Sequence, residues 1–235
     1  MENACKKWGM KLNVSKCKIL SQSDDSIQID GQEVDHVQQF VFLGSVVPDS
    51  STDVTRRIAL ASSAFGRLHD SIWSRSDISI KLKVRLYNAL ILPIAIYASE
   101  TWTLLEVDKR KLEVFEMRCL RAILGVTILD RMRNNYIRKN LNLKFSITEL
   151  IKKRRLKWFG HVVRKSTIES HVYAAYQLDF KNTRTQGRPP KCWVDQTRKD
   201  IGLPKLMAEC IALDREKWKE VVNTGRARAL RGLCR

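Results

Sequence analysis

The segment that most constrains the fold of this chain is residues 151–164, which read IKKRRLKWFGHVVR. A run of cations leads directly into aromatic and aliphatic residues. The cations are Lys152, Lys153, Arg154, Arg155 and Lys157, and the residues that follow them are Trp158, Phe159 and Val162. A helix of this composition can pack one side on a core and offer the other side to phosphates. We therefore expect the apolar residues to face inward with Ile151, and the cations Lys152, Lys153, Arg155 and Lys157 to face solvent.

The positive charge of the chain is concentrated in its second half. The formal net charge is +18, yet residues 1–100 hold 12 Lys and Arg against 11 Asp and Glu. Residues 101–235 hold 31 against 14. Such asymmetry is typical of proteins that bind nucleic acid or anionic membranes. Because the cations are interspersed with aromatic residues and are not gathered beside one apolar face, we favour nucleic acid. A solvated basic surface without a specific ligand is the alternative.

Composition limits the remaining classes of protein. A hydrophobic content of 44% is sufficient for a buried core. The longest apolar run, residues 86–98, contains Asn88 and Pro93 and is shorter than the roughly 20 residues that span a bilayer. We therefore expect no membrane segment. The six cysteines lack CxxC spacing and the N-terminus does not resemble a signal peptide, so we expect free thiols and an intracellular location, nuclear or cytoplasmic.

Residues 1–47 are expected to form a small sheet with little charge bias. Short strands are predicted at residues 16–20 (KCKIL) and 27–29, with a turn at Asp30-Gly31. The apolar residues 40–43 predict another strand that ends at Gly44.

Helical periodicity begins near Ser50, where Ser51, Thr52 or Asp53 can cap a helix. The inward residues of this helix are expected to be Val54, Ile58, Ala61, Phe65 and Leu68. A second helix is expected to begin after Ser79, with inward residues Leu82, Leu86, Ala89, Leu90 and Ile94. A third is expected to begin near Asp108, with inward residues Leu112, Phe115, Cys119 and Ile123. Pro93 should interrupt the second helix, and Gly125 should cap the third.

The remaining residues are predicted to be helical and basic. Ser146 to Glu149 has the spacing of a capping box, which places residues 151–164 on a helix. Residues 181–191 contain Gly, Pro and Asn and are expected to form a loop, and residues 206–222 to form one last helix. The GRPPK segment in that loop, residues 187–191, could follow a phosphate backbone or a minor groove.

Two groups of residues have side chains of the kinds that bind metals, but neither sequence pattern supports a metal site. Asp24-Asp25 is an acidic pair of the kind used in two-metal chemistry, but its serine and glutamine neighbours are typical of a surface turn. His161, His171, Cys192 and Cys210 lack the close ligand pairs of zinc sites.

The aromatic residues Trp158, Phe159, Trp193 and Trp218 have two possible roles. They could stack on bases or, as is commoner at helical spacing, pack in a core.

Several sequence blocks follow one another in order, beginning with GMKLNVSKCK at residues 9–18 and including RLKWFGHVVR at residues 155–164. In order and approximate spacing these blocks resemble the region after the polymerase active site of non-LTR (LINE-type) retrotransposon reverse transcriptases. Residues 9–18 are similar to the family's GxxxNxxKTK segment at the end of the palm, with Cys17 in place of threonine. Phe42-Leu43-Gly44 is similar to the FLG strand that follows it. The later blocks are residues 53–65, 87–102 (YNALILPIAIYASETW), 112–125, 155–164 (RLKWFGHVVR), 187–195 (GRPPKCWVD) and 212–218 (ALDREKW).

The resemblance implies an α+β chain with the end of a palm at residues 1–47, a helical thumb at 48–125 and a basic helical post-thumb region at 126–235. It implies a primer-grip role for Phe42, Leu43 and Gly44. The family's F/Y-x-D-D turn, which binds catalytic magnesium, lies upstream of the GxxxN segment. Asp24 and Asp25 therefore do not correspond to it, and we expect no catalytic residue, metal ligand or cofactor in this chain, with magnesium belonging to the intact polymerase.

These features predict a fragment of an RNA-directed DNA polymerase that binds RNA, DNA or an RNA–DNA hybrid through phosphates and does not polymerise alone. The candidate phosphate-binding residues are Lys16, Lys18, Lys152, Lys153, Arg154, Arg155, Lys157, Arg164, Arg188 and Lys191. The alternative is a domesticated or remnant helical interaction module without nucleic-acid function. Its partner would be the missing palm or another protein, because a small sheet without neighbouring strands leaves unpaired edges.

Overall fold

The structure, a computed structural model, describes residues 2–21, 26–165, 171–177 and 192–224. The chain divides into two compact units, Met1–Asp53 and Val54–Arg235. Short strands occur in the first unit and helices form the second, so the predicted α+β class is confirmed. The predicted boundary between thumb and post-thumb regions, near residue 125, stays a prediction.

Two small antiparallel sheets shape the first unit. Its elements are helix α1 (Glu2–Lys7) and strands β1 (Gln28–Ile29), β2 (Gln32–Glu33), β3 (Phe40–Phe42) and β4 (Ser45–Val47). Strand β1 pairs with β2, and β3 pairs with β4. Asp30 and Gly31 both have positive φ, as do Leu43 and Gly44, which is the geometry of the two-residue turns that join twisted hairpin strands. The turn at Asp30-Gly31 is confirmed, and Leu43 belongs to a turn and not to the predicted strand.

The predicted strand at residues 16–20 is wrong. Val14–Lys16 forms a 3₁₀ turn, and of the segment only Ile19 pairs, in an isolated bridge to His36. The Ser15 hydroxyl donates to the Asn13 side chain at 2.6 Å. Polar side chains that bond locally in this way favour turns over strands, and the two-residue alternation of KCKIL is too short to oppose them.

The second unit is built from helices, the first of which begins in the last residues of the first unit. The bounds are α2 (Ser50–Arg67), α3 (Ile80–Leu86), α4 (Leu92–Ala95), α5 (Glu106–Leu124), α6 (Asn134–Asn140), α7 (Ile147–Arg164), α8 (His171–Gln177), α9 (Trp193–Ile201), α10 (Lys205–Leu213) and α11 (Arg215–Thr224). Two π turns, His69–Trp73 and Tyr87–Ile91, and a 3₁₀ turn, Ser99–Thr101, lie between them.

Helices α2 and α5 bury the stripes that their periodicity predicts. Ile58 and Leu68 are half-buried, and the other predicted residues of both stripes are buried. Gly125 ends α5 with φ 71°, as expected of a left-handed cap. The start of α2 differs from the prediction, because Asp49 accepts hydrogen bonds from the amides of Ser51 and Thr52. Asp53 is instead buried and accepts from the Val46 amide at 3.0 Å.

The inward stripe of α3 and α4 was predicted incorrectly in part. Helix α3 begins directly after Ser79, as expected, and the Ser79 side chain caps it, but Leu82, Ala89 and Leu90 are exposed. The buried residues are Lys83, Tyr87, Ile91 and Ala95, at a constant spacing of four. The π turn Tyr87–Ile91 has more residues per turn than an α-helix, which suits this spacing of four. It directly precedes α4, where Pro93 has no amide to donate to a helical hydrogen bond. The buried Lys83 ammonium donates a hydrogen bond to the Trp73 carbonyl at 2.8 Å.

The predicted last helix, residues 206–222, is divided in two at Asp214. Its carboxylate accepts hydrogen bonds from the amides of Glu216 and Lys217, so it caps α11 and ends the helical path of α10.

Helix α7 contributes to two hydrophobic clusters. Ile147 and Ile151 belong to a first cluster with residues of α2 and α5, and Leu156 and Phe159 belong to a second with residues of α9 to α11. The point of change lies at Arg155. Along one helix, therefore, the side chains before and after this residue stabilise different parts of the unit.

Gly160 allows the closest approach in the second cluster. The Trp218 indole donates its N–H to the Leu156 carbonyl of α7 at 2.9 Å. A Cβ placed on Gly160 would lie 2.5 Å from Cδ1 of that ring and 3.0 Å from the Arg164 guanidinium. The glycine of the WFGH sequence is thus required by packing, because a buried indole ring cannot move away at low cost.

We predict that Gly160→Ala lowers the free energy of unfolding by about 1–3 kcal/mol, because the added methyl group overlaps Trp218. Gly66→Ala on α2 is the matched control. A Cβ there would meet nothing within 4 Å, so the substitution should be neutral or stabilising through helix propensity. Urea denaturation followed by circular dichroism measures both, and equal effects of the two substitutions would contradict the assignment.

Candidate nucleic-acid interface

Helix α7, which carries the cation run, begins at a doubly capped N-terminus. The Ser146 hydroxyl accepts from the Glu149 amide at 3.3 Å, and the Glu149 carboxylate accepts from the Ser146 amide at 2.7 Å. The predicted capping box is confirmed. Because the amides of Ser146 and Glu149 both find local partners, α7 starts at a defined residue. That start determines which later residues lie on each face of the helix.

A buried carboxylate of α5 holds the same end of α7. Glu116 accepts from the Ile147 amide at 2.9 Å and from the Arg138 guanidinium at 2.7 Å. Burial raises the pKa of Glu116, and the hydrogen bond and charge of Arg138 oppose that rise. A carboxylate at a helix N-terminus is also favoured by the helix dipole. Glu116 therefore ties three helices together at the point where α7 starts.

Arg155 is the predicted phosphate-binding residue of α7 whose expected orientation is wrong. It is 2% exposed, and its guanidinium donates to the Asp200 carboxylate of α9 at 2.5 Å and to the Trp102 carbonyl at 3.1 Å. Burial lowers the pKa of Arg155, while the charge of Asp200 opposes the change. This side chain cannot reach a ligand phosphate without unfolding, so its role is to hold α7 against α9 and the chain segment before α5.

Three other cations of α7 are half-buried and bond to the protein itself. Arg154 donates to the Ile96 carbonyl at 2.7 Å, and Arg164 donates to the Ala212 carbonyl at 2.6 Å. Lys153 lies over the Phe145 ring, 3.3 Å from its centroid. The geometry of each of these side chains is therefore set by an internal partner.

The solvent-facing side of α7 carries Lys157 and His161, and Lys165 follows at its end; all three are exposed and spaced four residues apart. Lys152 is half-buried. Trp158 is half-buried at the edge of the second cluster and stacks on the His161 ring, with centroids 5.2 Å apart and an angle of 26° between planes. Two of the other aromatic candidates, Phe159 and Trp218, are buried. Trp193 is half-buried, and its indole donates to the Glu100 carbonyl.

The predicted residues of the first unit lie on its surface or form an ion pair. Lys16 is exposed, and Lys18 pairs with Asp35, whose pKa is lowered by that hydrogen bond and charge. Phe42 and Leu43, at the tip of the β3–β4 hairpin with Gly44, are 58% and 78% exposed. Arg188, Lys191, the loop at 181–191 and the pair Asp24-Asp25 lie outside the described residues.

Sequence reasoning missed a second basic surface, on α5. Arg110, Lys111 and Arg118 are exposed on the side of α5 opposite its buried stripe. Lys111 and Arg118 border an open groove of about 260 Å³, which is also lined by α2 residues including Ile58. Arg110 and Lys111 belong to the run Lys109-Arg110-Lys111, and Arg118 follows Lys111 by seven residues, about two helical turns. The sequence therefore did contain a signal for this surface.

The described residues show no grouping suited to metal binding, since no three of their His, Cys, Asp or Glu side chains come together. The Cys192 thiol donates a hydrogen bond to the Asp195 carboxylate at 2.9 Å, and burial raises the pKa of Cys192. No helix in the described part of the chain is long and apolar enough to cross a membrane.

The chain is similar to a Caenorhabditis elegans protein that is described as transposon-derived. The two are 25% identical over 237 residues, a match that covers 93% of this chain and 84% of the other protein. No protein-family model and no solved structure matches the chain.

We predict that Arg155→Met destabilises the fold by about 3 kcal/mol, because it leaves the Asp200 carboxylate partly buried without its partner. Adding Asp200→Leu should recover much of that loss, since the unpaired charge is then removed. Lys157→Met, an exposed control on the same helix, should change stability by less than about 0.5 kcal/mol. Urea denaturation gives all values, and a double variant no more stable than Arg155→Met alone would refute the assignment.

Proposed function

We propose that this transposon-related chain binds nucleic acid through phosphate contacts, without reading sequence, as the thumb and post-thumb part of a LINE-type reverse transcriptase. The preferred ligand class is RNA, DNA or an RNA–DNA hybrid. The similarity to a transposon-derived protein supports the transposon relationship, and the resemblance of the ordered sequence blocks supports the finer assignment.

The observation that carries the proposal is the division of charge between the two units. Residues 1–53 hold 5 Lys and Arg against 8 Asp and Glu, and residues 54–235 hold 38 against 17. The whole positive excess therefore belongs to the helical unit. Such a field attracts a polyanion and raises its association rate, which is the electrostatic part of nucleic-acid binding.

The placement of the exposed cations favours phosphates as their target. Lys157 and Lys165 at α7, and Arg110, Lys111 and Arg118 on α5, lie on solvent-exposed surfaces of the helical unit. Long cationic side chains on exposed helix surfaces suit contact with a regular backbone and give little discrimination among bases. The Phe42-Leu43-Gly44 hairpin tip is proposed to contact the primer end, where its exposed apolar residues would meet sugar and base.

The surface of the first unit favours the alternative function, an interaction module. Trp8 is 75% exposed, and Met10, Val41 and Leu43 are also exposed. In the described residues each strand of β1 to β4 has one paired neighbour, so the other edge of each lacks a strand partner. On β4 that edge is partly occupied, because the Val46 amide donates to Asp53. Edges and apolar residues of this kind fit a protein partner such as a palm.

We predict that the affinity of the chain for duplex DNA falls linearly with salt on a log–log plot, with a slope of about 0.9 for each neutralised phosphate. Lys157→Gln combined with Lys165→Gln should reduce the slope by about 0.9 for each phosphate that is no longer neutralised. The reduction should be the same for duplexes of unrelated sequence. Lys7→Gln combined with Lys11→Gln removes the same charge from the first unit and should leave the slope unchanged.

Fluorescence anisotropy at several salt concentrations measures these slopes. Binding that does not respond to salt, or a weakening confined to one sequence, would contradict phosphate recognition.

Size-exclusion chromatography separates the proposal from its alternative. A nucleic-acid-binding protein should elute earlier before nuclease treatment than after it, because bound nucleic acid adds mass. Early elution that nuclease does not change would support an interaction module, and Leu43→Lys should then shift elution by disrupting the hairpin tip.

A further inference from the structure

Within the described part of the chain, the stack of Trp158 on His161 is the aromatic pair of α7 that reaches the exposed surface of the helix. Trp158 is anchored by the second cluster, while His161 is exposed. Phe159, by contrast, packs on Tyr176 and Trp218 at centroid distances of 5.8 and 5.4 Å inside that cluster. The exposed imidazole stacks on an anchored indole with an angle of 26° between the planes, so it can offer another aromatic surface on the solvent side of α7.

We propose that His161, supported by Trp158, is a stacking site for an unpaired nucleic-acid base. The inference rests on the proposed function and extends it from phosphates to bases. Stacking on an aromatic ring is open to every base, so the site adds affinity without sequence preference. Bases within a duplex already stack on one another, so the ligand is a single-stranded segment.

The cations beside the stack fit a strand and not a mononucleotide. Lys157 and Lys165 lie one turn before and one turn after His161, about 6 Å along the helix axis in each direction. No carboxylate of the described residues forms an ion pair with either lysine. A base on His161 would thus have a cation on both sides, and a strand carries phosphates on both sides of each nucleoside.

The experiment uses the full chain and two labelled strands of about 16 nucleotides, one of oligothymidylate and one with abasic residues throughout. Both strands have the same phosphates, and only the first has bases. Fluorescence anisotropy should show the thymidine strand bound at least about five-fold more tightly than the abasic strand.

His161→Ala should remove that difference by weakening thymidine-strand binding about five-fold while leaving the abasic strand unchanged. His161→Phe keeps an aromatic ring without the capacity for charge and should restore the preference. His69→Ala is the matched control, because His69 is also exposed but lies outside α7, beside Asp70. Circular dichroism confirms that each variant is folded.

Each outcome separates stacking from phosphate binding. Equal affinity of the unaltered chain for both strands would overturn the stacking site and leave phosphate binding intact. If His161→Ala weakens the binding of both strands equally, or if His161→Phe does not restore the preference for the thymidine strand, His161 acts through its charge. Either result would also overturn the stacking site. Absence of salt-dependent binding to either strand would overturn the proposed function itself.

Discussion

The guanidinium of Arg155 lies where the side chains of α7 pass from one hydrophobic cluster to the next, and the helical unit depends on its placement. It is held by a carboxylate from α9 and by a backbone carbonyl that precedes α5. A buried cation without these partners would cost several kcal/mol. The ion pair of Arg155 with Asp200 therefore favours one packing of α9 against α7, because any other packing of α9 would leave the buried Arg155 charge without its partner.

The same helix shows why a run of cations in a sequence overstates the charge available to a ligand. Arg154, Arg155 and Arg164 each donate to a carbonyl of another segment, which suits the fixed planar fork of arginine. The lysines Lys157 and Lys165 remain exposed. Within this stretch the arginines thus organise the fold, and the two exposed lysines are the residues left to meet an anion. The surface of α5 supplies further cations, and two of them, Arg110 and Lys111, belong to a shorter run of cations in the sequence.

Local chemistry made part of this structure predictable. The Asp30-Gly31 turn, the Ser146 capping box and the Gly125 cap depend on residues that are adjacent or three apart, and the structure has all three. The stripes of α2 and α5 follow from regular periodicity. Long α-helical stripes need no knowledge of their partners, since burial of an apolar face is favourable against almost any core.

The misses share a different cause, because each depends on a distant or competing partner. Arg155 is buried by a residue 45 positions away. The π turn Tyr87–Ile91 changes the period within a helix, so the inward residues after it are no longer those that a 3.6-residue repeat selects. Asp214 interrupts a segment that is otherwise apolar at helical spacing. For the candidate interface, sequence alone could not distinguish Trp158 from the buried aromatics, since exposure is set by the whole second cluster.

The contact between Gly160 and Trp218 has a consequence for the history of the gene. Every nucleotide change at the first or second position of a glycine codon introduces a larger residue or a stop, and Trp218 leaves no space for one. In an element released from selection, both codons would drift as freely as any other. Retention of this glycine together with tryptophan at 218 among diverged transposon copies would therefore be a molecular record of selection on a folded protein product, and it can be read without expressing any of them.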